Sequence, residues 1–318
     1  MNTLVRKALE ARTFVVHEHC ADGMASAMLL RAINQKAEVV FCQYGTAQHR
    51  ELPVGPGMVF ADFSPPKDRV PEFVEAGAVV LDHHHTQREV IEAFGEDGVY
   101  SDEPGVSGAT LVYNHLWLPL VRSGGMTNVV LKDPFAASFA TLAGIYDTWQ
   151  IKDSRWESAC VQKEVLTFFS PEELLSPPFT DIIERWPQYL WVGQVLLQKN
   201  LRQAAKAART SYRFTTAKGT RVAVTYLAGY KADAIAECLG AQADLVVGAF
   251  YVYDPEHDAY PKLVLSCRSK TDYDVSALCR AYGGGGHTKA AGMTLQVERS
   301  DVNPYQFTEN VINEYEAR

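Results

Sequence analysis

The sequence predicts an α/β protein built from two unlike domains: a parallel sheet with helices on its faces, then a smaller α/β unit, joined by a linker helix. Two observations carry this. Short apolar runs alternate with helical patterns through the first part of the chain, which is how strands joined by crossover helices read. The chain is also 318 residues long, enough for about two domains.

Taken in order, the elements are a strand at Thr13–His17, a helix from Gly23 to about Gln35, strands at Ala37–Tyr44 and Gly57–Phe60, a helix near Val70–Ala76 and a strand at Ala78–Leu81. Helices dominate from Gly108 to about Phe169, and Ser170–Pro178, with its three prolines, reads as a loop. From Tyr189 to Ala208 the chain is helix-forming and increasingly basic, which marks the linker. A hairpin follows, Tyr212–Thr216 and Arg221–Leu227, turning at Lys218-Gly219. Beyond it come a helix near Ala232–Leu239, strands at Asp244–Tyr253 and Lys262–Cys267, a helix at Val275–Tyr282, a glycine run and a strand at Met293–Val297. The predicted division is a first domain over 1–188, a linker helix over 189–210 and a second domain over 211–318.

Composition excludes several classes. With 47% apolar and 21% charged residues, the chain is neither disordered nor fibrous. Its net charge of −8 argues against coating long duplex DNA, so an anionic ligand must be held by local cations or metal. The six cysteines, Cys20, Cys42, Cys160, Cys238, Cys267 and Cys279, form no CxxC pair and read as reduced thiols. The start of the chain has no apolar signal core, and the longest apolar stretch, Leu245–Tyr253, is too short to span a bilayer. The expectation is a cytoplasmic protein without a membrane partner; the sequence leaves its oligomeric state open.

The chemistry gathers where apolar strands end. Ala78–Leu81 runs into Asp82-His83-His84-His85, Phe14–Val16 into His17-Glu18-His19-Cys20-Ala21-Asp22-Gly23, and Met58–Ala61 into Asp62-Phe63-Ser64. Ligands of an open α/β sheet bind at the carboxyl ends of its strands. Several acids converging there imply a cation, and histidine with carboxylate suits Mn²⁺, Fe²⁺ or Zn²⁺, tilting toward Mn²⁺ or Mg²⁺ as carboxylates accumulate. The competing readings are a surface histidine cluster, and a turn or cap at Asp62. Asp147, in the apolar helical stretch Gly144–Trp149, is costly unless paired. If the extended segment continues, His17 and His19 point to the same side.

Phe14–Ala27 (FVVHEHCADGMASA), Asp62-Phe63-Ser64, Asp82-His83-His84, the helix with Asp147, and Tyr282–Gly292 (YGGGGHTKAAG) match, in order, the motifs of the DHH phosphoesterase superfamily. The resemblance covers nearly the whole chain: the first four motifs belong to that family's catalytic domain, the fifth to its associated C-terminal domain. It implies two divalent metals, commonly Mn²⁺, with Mg²⁺ or another divalent ion as alternatives. His17 and the position of Cys20 would face one metal, Asp22, His83 and Asp147 the other, with Asp62 bridging. Asp82 and His84 would support the ligands or contact phosphate, which makes Asp62, Asp82, His83 and His84 the implied catalytic set. One departure stands out. The first motif usually reads Asp-x-Asp-Gly, and here Cys20 holds the first acidic position, a softer ligand less suited to Mn²⁺.

Gly283-Gly284-Gly285-Gly286-His287 is neither a Walker loop nor a dinucleotide fingerprint. Four glycines let backbone approach a ligand, and N–H groups opening a helix would form an anion nest. The resemblance sets a nucleotide against Gly284, Gly285, Gly286 and His287, and matches Arg268 to a phosphate-contacting arginine, for which a planar fork is suited. Ser107 reads as the cap of the helix that follows it, while the resemblance sets a small-residue segment like Ser107-Gly108-Ala109 along the cleft. Tyr146, Trp149 and Trp156, at helical spacing, read as core before they read as base-stacking residues.

The function expected is a metal-dependent phosphodiesterase that takes short linear oligonucleotides, dinucleotides or cyclic-dinucleotide-type messengers to mononucleotides. The alternatives are a 5′ single-strand exonuclease of the same superfamily, a pyrophosphatase or polyphosphatase, and a nucleotide-binding regulator with a weakened metal site.

Overall fold

The structure, a computed structural model, describes residues 2–124, 133–226, 232–253, 260–297 and 302–318. The chain forms two compact units, Met1–Leu196 and Leu197–Arg318.

The first unit is built on five strands, β1 (Thr13–His17), β2 (Glu38–Cys42), β3 (Met58–Ala61), β4 (Val79–Asp82) and β5 (Gly98–Tyr100). They are all parallel, in the order β2-β1-β3-β4-β5. The helices around them are α1 (Thr3–Leu9), α2 (Ala21–Ile33), α3 (Ala47–Arg50), α4 (Val70–Glu75), α5 (Arg88–Glu92), α6 (Gly108–Val112), α7 (Leu118–Arg122), α8 (Asp133–Asp147), α9 (Trp156–Phe168) and α10 (Pro171–Leu175). A π-helical turn, Tyr113–Trp117, joins α6 to α7.

The central strands read as unbroken apolar runs because both faces are covered. Phe14, Val16, Val59, Ala61, Val79 and Leu81 pack with Met28, Leu29, Ala109 and Phe139 on one side. Val15, Phe60 and Val80 pack with Phe63, Phe73 and Ile91 on the other. Strand order reverses between β1 and β3, the switch point at which open α/β sheets leave a crevice at the strands' carboxyl ends.

Three local differences from the sequence reading have physical causes. Ser170–Pro178 contains a helix, α10, because Pro171 occupies its first turn and Ser170 and Glu173 form a reciprocal capping box. The long helix α11 (Phe179–Arg209) begins at Phe179 rather than Tyr189, carries Pro187 within it, and runs across the boundary of the two units. β5 has only three residues at the sheet edge, too few to show a period in sequence.

The second unit holds a six-stranded sheet: β6 (Tyr212–Thr215), β7 (Arg221–Tyr226), β8 (Leu245–Val252), β9 (Lys262–Arg268), β10 (Gly285–His287) and β11 (Ala290–Gln296). The order is β10-β11-β9-β8-β7-β6, with β7–β8 parallel and the other pairs antiparallel. Helices α12 (Ala232–Leu239), α13 (Val275–Arg280) and α14 (Pro304–Ala317) accompany it. Val222, Val224, Val247, Leu263, Leu265 and Ile312 form its core. The hairpin turns at Gly219, where φ is +87°, while Leu227, placed in its second strand from sequence, lies outside the described residues.

The glycine run does not open a helix. It follows α13 and enters β10, which pairs with β11. A Cβ on Gly284 would fall 2.2 Å from the Gly292 carbonyl oxygen, and one on Gly286, where φ is +130°, would fall 2.7 Å from the Ala290 carbonyl oxygen. The glycines therefore serve a close approach of two chain segments rather than a helical anion nest. Among the described residues, no helix is long and apolar enough to cross a membrane.

Candidate metal centre

The carboxyl ends of β1, β3 and β4, neighbours in the sheet, bring together the acids and histidines singled out from sequence. β1 stops at His17, and the strand alternation stops with it. His19 has φ 56° and an exposed side chain that pairs with Glu18, so it points away while His17 stays in the crevice. The expectation that both histidines share a side is thereby corrected.

Asp62 follows β3 with φ 56°, a left-handed conformation rare outside glycine, asparagine and aspartate. The surroundings hold it there. Its N–H donates to Leu81 O at 3.0 Å. Gly108, opening α6, lies so near that a Cβ on it would meet the Asp62 Cβ at 2.4 Å and its Cα at 2.7 Å.

His83, itself 1% exposed, is the hub of the site. Its Nε2 lies 3.0 Å from Asp62 Oδ1, 3.4 Å from Asp147 Oδ2 and 3.8 Å from Asp22 Oδ2. On the other side of Asp62, His17, Cys20 and Asp62 each place a donor atom within 4.8 Å of the others. Cys20 Sγ also donates to Asp147 Oδ1 at 3.9 Å. Asp62 thus stands between two sets of donors.

Asp22 is clamped by the start of α6. Ser107 Oγ and the Ala109 N–H donate to its Oδ1 at 2.6 and 3.1 Å, and the Gly108 N–H donates to its Oδ2 at 2.7 Å. Oδ1 has both lone pairs engaged, leaving Oδ2 as the atom turned toward His83.

Asp82 is saturated in a different way. Its Oδ2 accepts from the Tyr44 hydroxyl at 3.1 Å and Ser64 Oγ at 2.7 Å. Its Oδ1 accepts from the His83 and His84 N–H groups at 2.7 and 3.1 Å and from His84 Nδ1 at 2.7 Å. Burial pushes its pKa up, but the charge and hydrogen bond of His84 and the charge of His83 outweigh it and hold it down to about 2. Asp82 fixes the His84 ring; it has little capacity left to bind a metal.

Electrostatics show what the site lacks in protein groups alone. Burial opposes charge on His83, but Asp62, Asp147 and Asp22 outweigh it and raise its pKa to about 10. Burial also raises Asp22 well above the carboxylate range, helped by Asp62 and Asp147. Asp62 moves the other way: against burial, His17 and His83 hold it well below that range. A proton on His83 therefore plays the part of a cation among three acids.

The donors around Cys20 fit a metal on an independent observation. His17 Nε2 meets Gln43 Oε1 at 2.8 Å, and the same oxygen accepts from the Tyr44 N–H at 3.1 Å, which fixes it as an acceptor and His17 Nε2 as the donor. His17 Nδ1 then faces Asp62 Oδ2 at 3.7 Å. Both atoms are buried and neither has a hydrogen-bond partner. Two buried polar atoms facing one another without a hydrogen bond are costly unless a charge lies between them; against burial, Asp62 raises the His17 pKa, which favours a proton there in the metal-free chain, and a cation would take its place.

No family model and no curated protein matches the sequence. Solved structures do. A DHH-domain protein described as a member of the S1p family of ribosomal proteins aligns over 99% of this chain and 88% of its own at 12% identity, with a TM-score of 0.55. The chain has the fold of that DHH domain. A pGpG-specific phosphodiesterase, PggH, from Vibrio cholerae (15% identity, 96% and 99% of the two chains, TM-score 0.48) and the exonuclease RecJ bound to manganese (15%, 100% and 95%, 0.48) are also similar.

In this DHH fold, the sequence-predicted His17, Cys20, Asp22, Asp62, Asp82, His83, His84 and Asp147 lie in one crevice of the first unit. Arg268, Gly284, Gly285, Gly286 and His287 belong to the second unit. There, register aligns them: Arg268 on β9 sits opposite Ala290 on β11, and Ala290 opposite His287 on β10. Directly opposed residues share a sheet face, so Arg268 and His287 flank the single methyl of Ala290. Arg268 is itself steadied by Ser266 Oγ and the Cys267 carbonyl, at 3.2 and 3.0 Å from its Nη1.

Sequence reasoning missed four supporting residues. Gln43 orients His17, and Tyr44 and Ser64 hold Asp82; in sequence Gln43 and Tyr44 read as the end of a strand and Ser64 as the last residue of Asp62-Phe63-Ser64, with nothing to mark these partnerships. Ser107 is the cap that the sequence predicts, and it also holds Asp22, which the sequence does not show. Tyr146 and Trp156 stack on each other at 5.7 Å, and Trp149 meets Trp156 edge-on at 5.3 Å, which uses their faces within the fold.

Proposed function

We propose that this protein is a metal-dependent phosphodiesterase that hydrolyses short linear oligonucleotides, dinucleotides or cyclic-dinucleotide-type messengers to mononucleotides, with two divalent ions, Mn²⁺ first among them. The observation that carries the reading is the convergence of Asp22, Asp62 and Asp147 on His83 in a buried crevice, with His17 Nδ1 facing Asp62 Oδ2 beside it and neither atom hydrogen-bonded. Acids crowded this closely call for cations. A pair of such ions lowers the pKa of a bound water and neutralises charge on phosphoryl oxygens.

The chain's own residues take distinct parts. Asp62 would be shared between His17 and Cys20 on one side and Asp22, His83 and Asp147 on the other. Asp82 orients His84 through Nδ1, which would place the imidazole to contact a phosphoryl oxygen. In the second unit, Arg268, the glycine strand Gly284–Gly286 and His287 would hold the phosphate and sugar of a small nucleotide, with the guanidinium supplying a planar fork. A net charge of −8 favours small substrates over long strands.

The test is a hydrolysis panel with Mn²⁺ added or chelated, run on linear dinucleotides, their cyclic counterparts, single strands of graded length and pyrophosphate. Mn²⁺-dependent release of mononucleotides that fades with length is the expected result. Rates that rise with length would favour the 5′ exonuclease, and metal binding without turnover in any lane would favour the nucleotide-binding regulator.

A further inference from the structure

Resting on the metal-centre reading above, we infer that the two donor sets differ in kind, and that His17, Cys20 and Asp62 form a subsite selective for a thiophilic divalent cation of the Zn²⁺ or Fe²⁺ type rather than Mn²⁺. The argument does not depend on the cysteine alone. Asp62 is 1% exposed, its Oδ2 has no hydrogen-bond partner, and it faces His17 Nδ1 at 3.7 Å with Cys20 in the same group of donors.

The donor chemistry is asymmetric about Asp62. On the far side the ligating atoms are carboxylate oxygens of Asp22 and Asp147 with one imidazole, a hard set. On the near side they are an imidazole nitrogen whose tautomer Gln43 fixes, one carboxylate oxygen and a sulfur. Thiolate and imidazole select Zn²⁺, Fe²⁺ and Co²⁺, whereas oxygen donors suit Mn²⁺ and Mg²⁺. Coordination requires the Cys20 thiol, which donates to Asp147 Oδ1 in the metal-free chain, to release its proton to solvent as the S–metal bond forms.

Cys20 is also well placed for substitution. It is the N-cap of α2, and its side chain makes no capping hydrogen bond there, so serine and aspartate, both good N-caps, should preserve the helix.

The experiment titrates Co²⁺ into the full-length metal-free protein and records near-ultraviolet absorption, then measures bound metal after dialysis against equimolar Zn²⁺ and Mn²⁺. A thiolate-to-cobalt charge-transfer band in the wild type, absent in Cys20→Ser and Cys20→Asp, is expected. So is a shift of at least about tenfold toward Mn²⁺ in the Zn²⁺:Mn²⁺ ratio of Cys20→Asp, since a hard donor replaces a soft one. Cobalt bound without the band, a band that survives Cys20→Ser, or an unchanged metal ratio in Cys20→Asp overturns the inference while leaving a metal-dependent enzyme standing. A wild type that takes up none of the three ions overturns both readings.

Discussion

Ser107 Oγ donates to Asp22 Oδ1 at 2.6 Å across a sequence separation of 85 residues, and the next two N–H groups complete the grip. A carboxylate held by three donors presents one defined oxygen to the crevice. Ser107→Ala removes a buried hydrogen bond and is expected to cost about 1–2 kcal/mol of stability. It should also weaken metal binding by roughly tenfold to a hundredfold, as loss of an orienting partner does in metal sites. Metal titration by calorimetry checks this; wild-type affinity would show that Ser107 is only a helix cap.

Gly108→Ala tests the wall behind Asp62. The added Cβ would lie 2.4 Å from the Asp62 Cβ, so either α6 or the Asp62 backbone must move. We expect a loss of about 1–3 kcal/mol and a larger, disproportionate loss of metal affinity. Gly55→Ala, where a Cβ meets nothing within 4 Å, is the control. Equal effects of the two substitutions on metal binding would remove Gly108 from the site's support.

Protons and metal compete for this site. In the metal-free protein His83 has its pKa raised from 6.5 to about 10. A group raised on folding contributes stability fully below its unfolded value and loses that contribution as pH rises through its folded value. Metal-free protein should therefore lose stability between about pH 7 and pH 10. Metal binding must displace the His83 proton, so the rise in Tm produced by Mn²⁺ should grow with pH, from about pH 6 to pH 8. A Mn²⁺-induced shift that is flat or falls over this range contradicts the assignment of His83 as a ligand.

Asp82 gives the opposite sign. Its pKa of about 2, against an ordinary 3.8, means a contribution of about 2 kcal/mol that is present above pH 3.8 and lost as pH falls toward 2. The stability difference between wild type and Asp82→Asn, followed by denaturant titration, should shrink by about that amount between pH 5 and pH 2. A difference independent of pH would mean that the five donors act on shape and not on charge.

Arg268→Ala and His287→Ala, on one face of the second sheet, should raise KM for a dinucleotide while leaving the fold intact and kcat within a few-fold. Normal substrate binding by both variants would remove this face from the binding surface.

Much of the fold was legible because a parallel sheet covered on both faces writes its strands as unbroken apolar runs. Thr13–His17 and the runs ending at Asp62 and Asp82 fall where the structure has them. Helix α14 lies beyond the last element the sequence predicts, although Asn303-Pro304 marks its start, Asn303 accepting from the Tyr305 and Gln306 N–H groups. The glycine run enters a strand instead of opening a helix because Gly284 and Gly286 answer to a neighbour in β11, a contact that no local periodicity records. The site divides in the same way. Acids and histidines at strand ends announce themselves, whereas Ser107 on Asp22 and Gln43 on His17 are partners set by the tertiary fold.

Asp62→Asn tests the central claim most directly, because asparagine tolerates the left-handed backbone at this position and removes only the charge shared by the two donor sets. Bound Mn²⁺ per chain and turnover of a linear dinucleotide would be measured on the same preparation. The account predicts that both collapse while the thermal transition of the metal-free protein persists. Wild-type metal content with turnover within a few-fold of normal would contradict it.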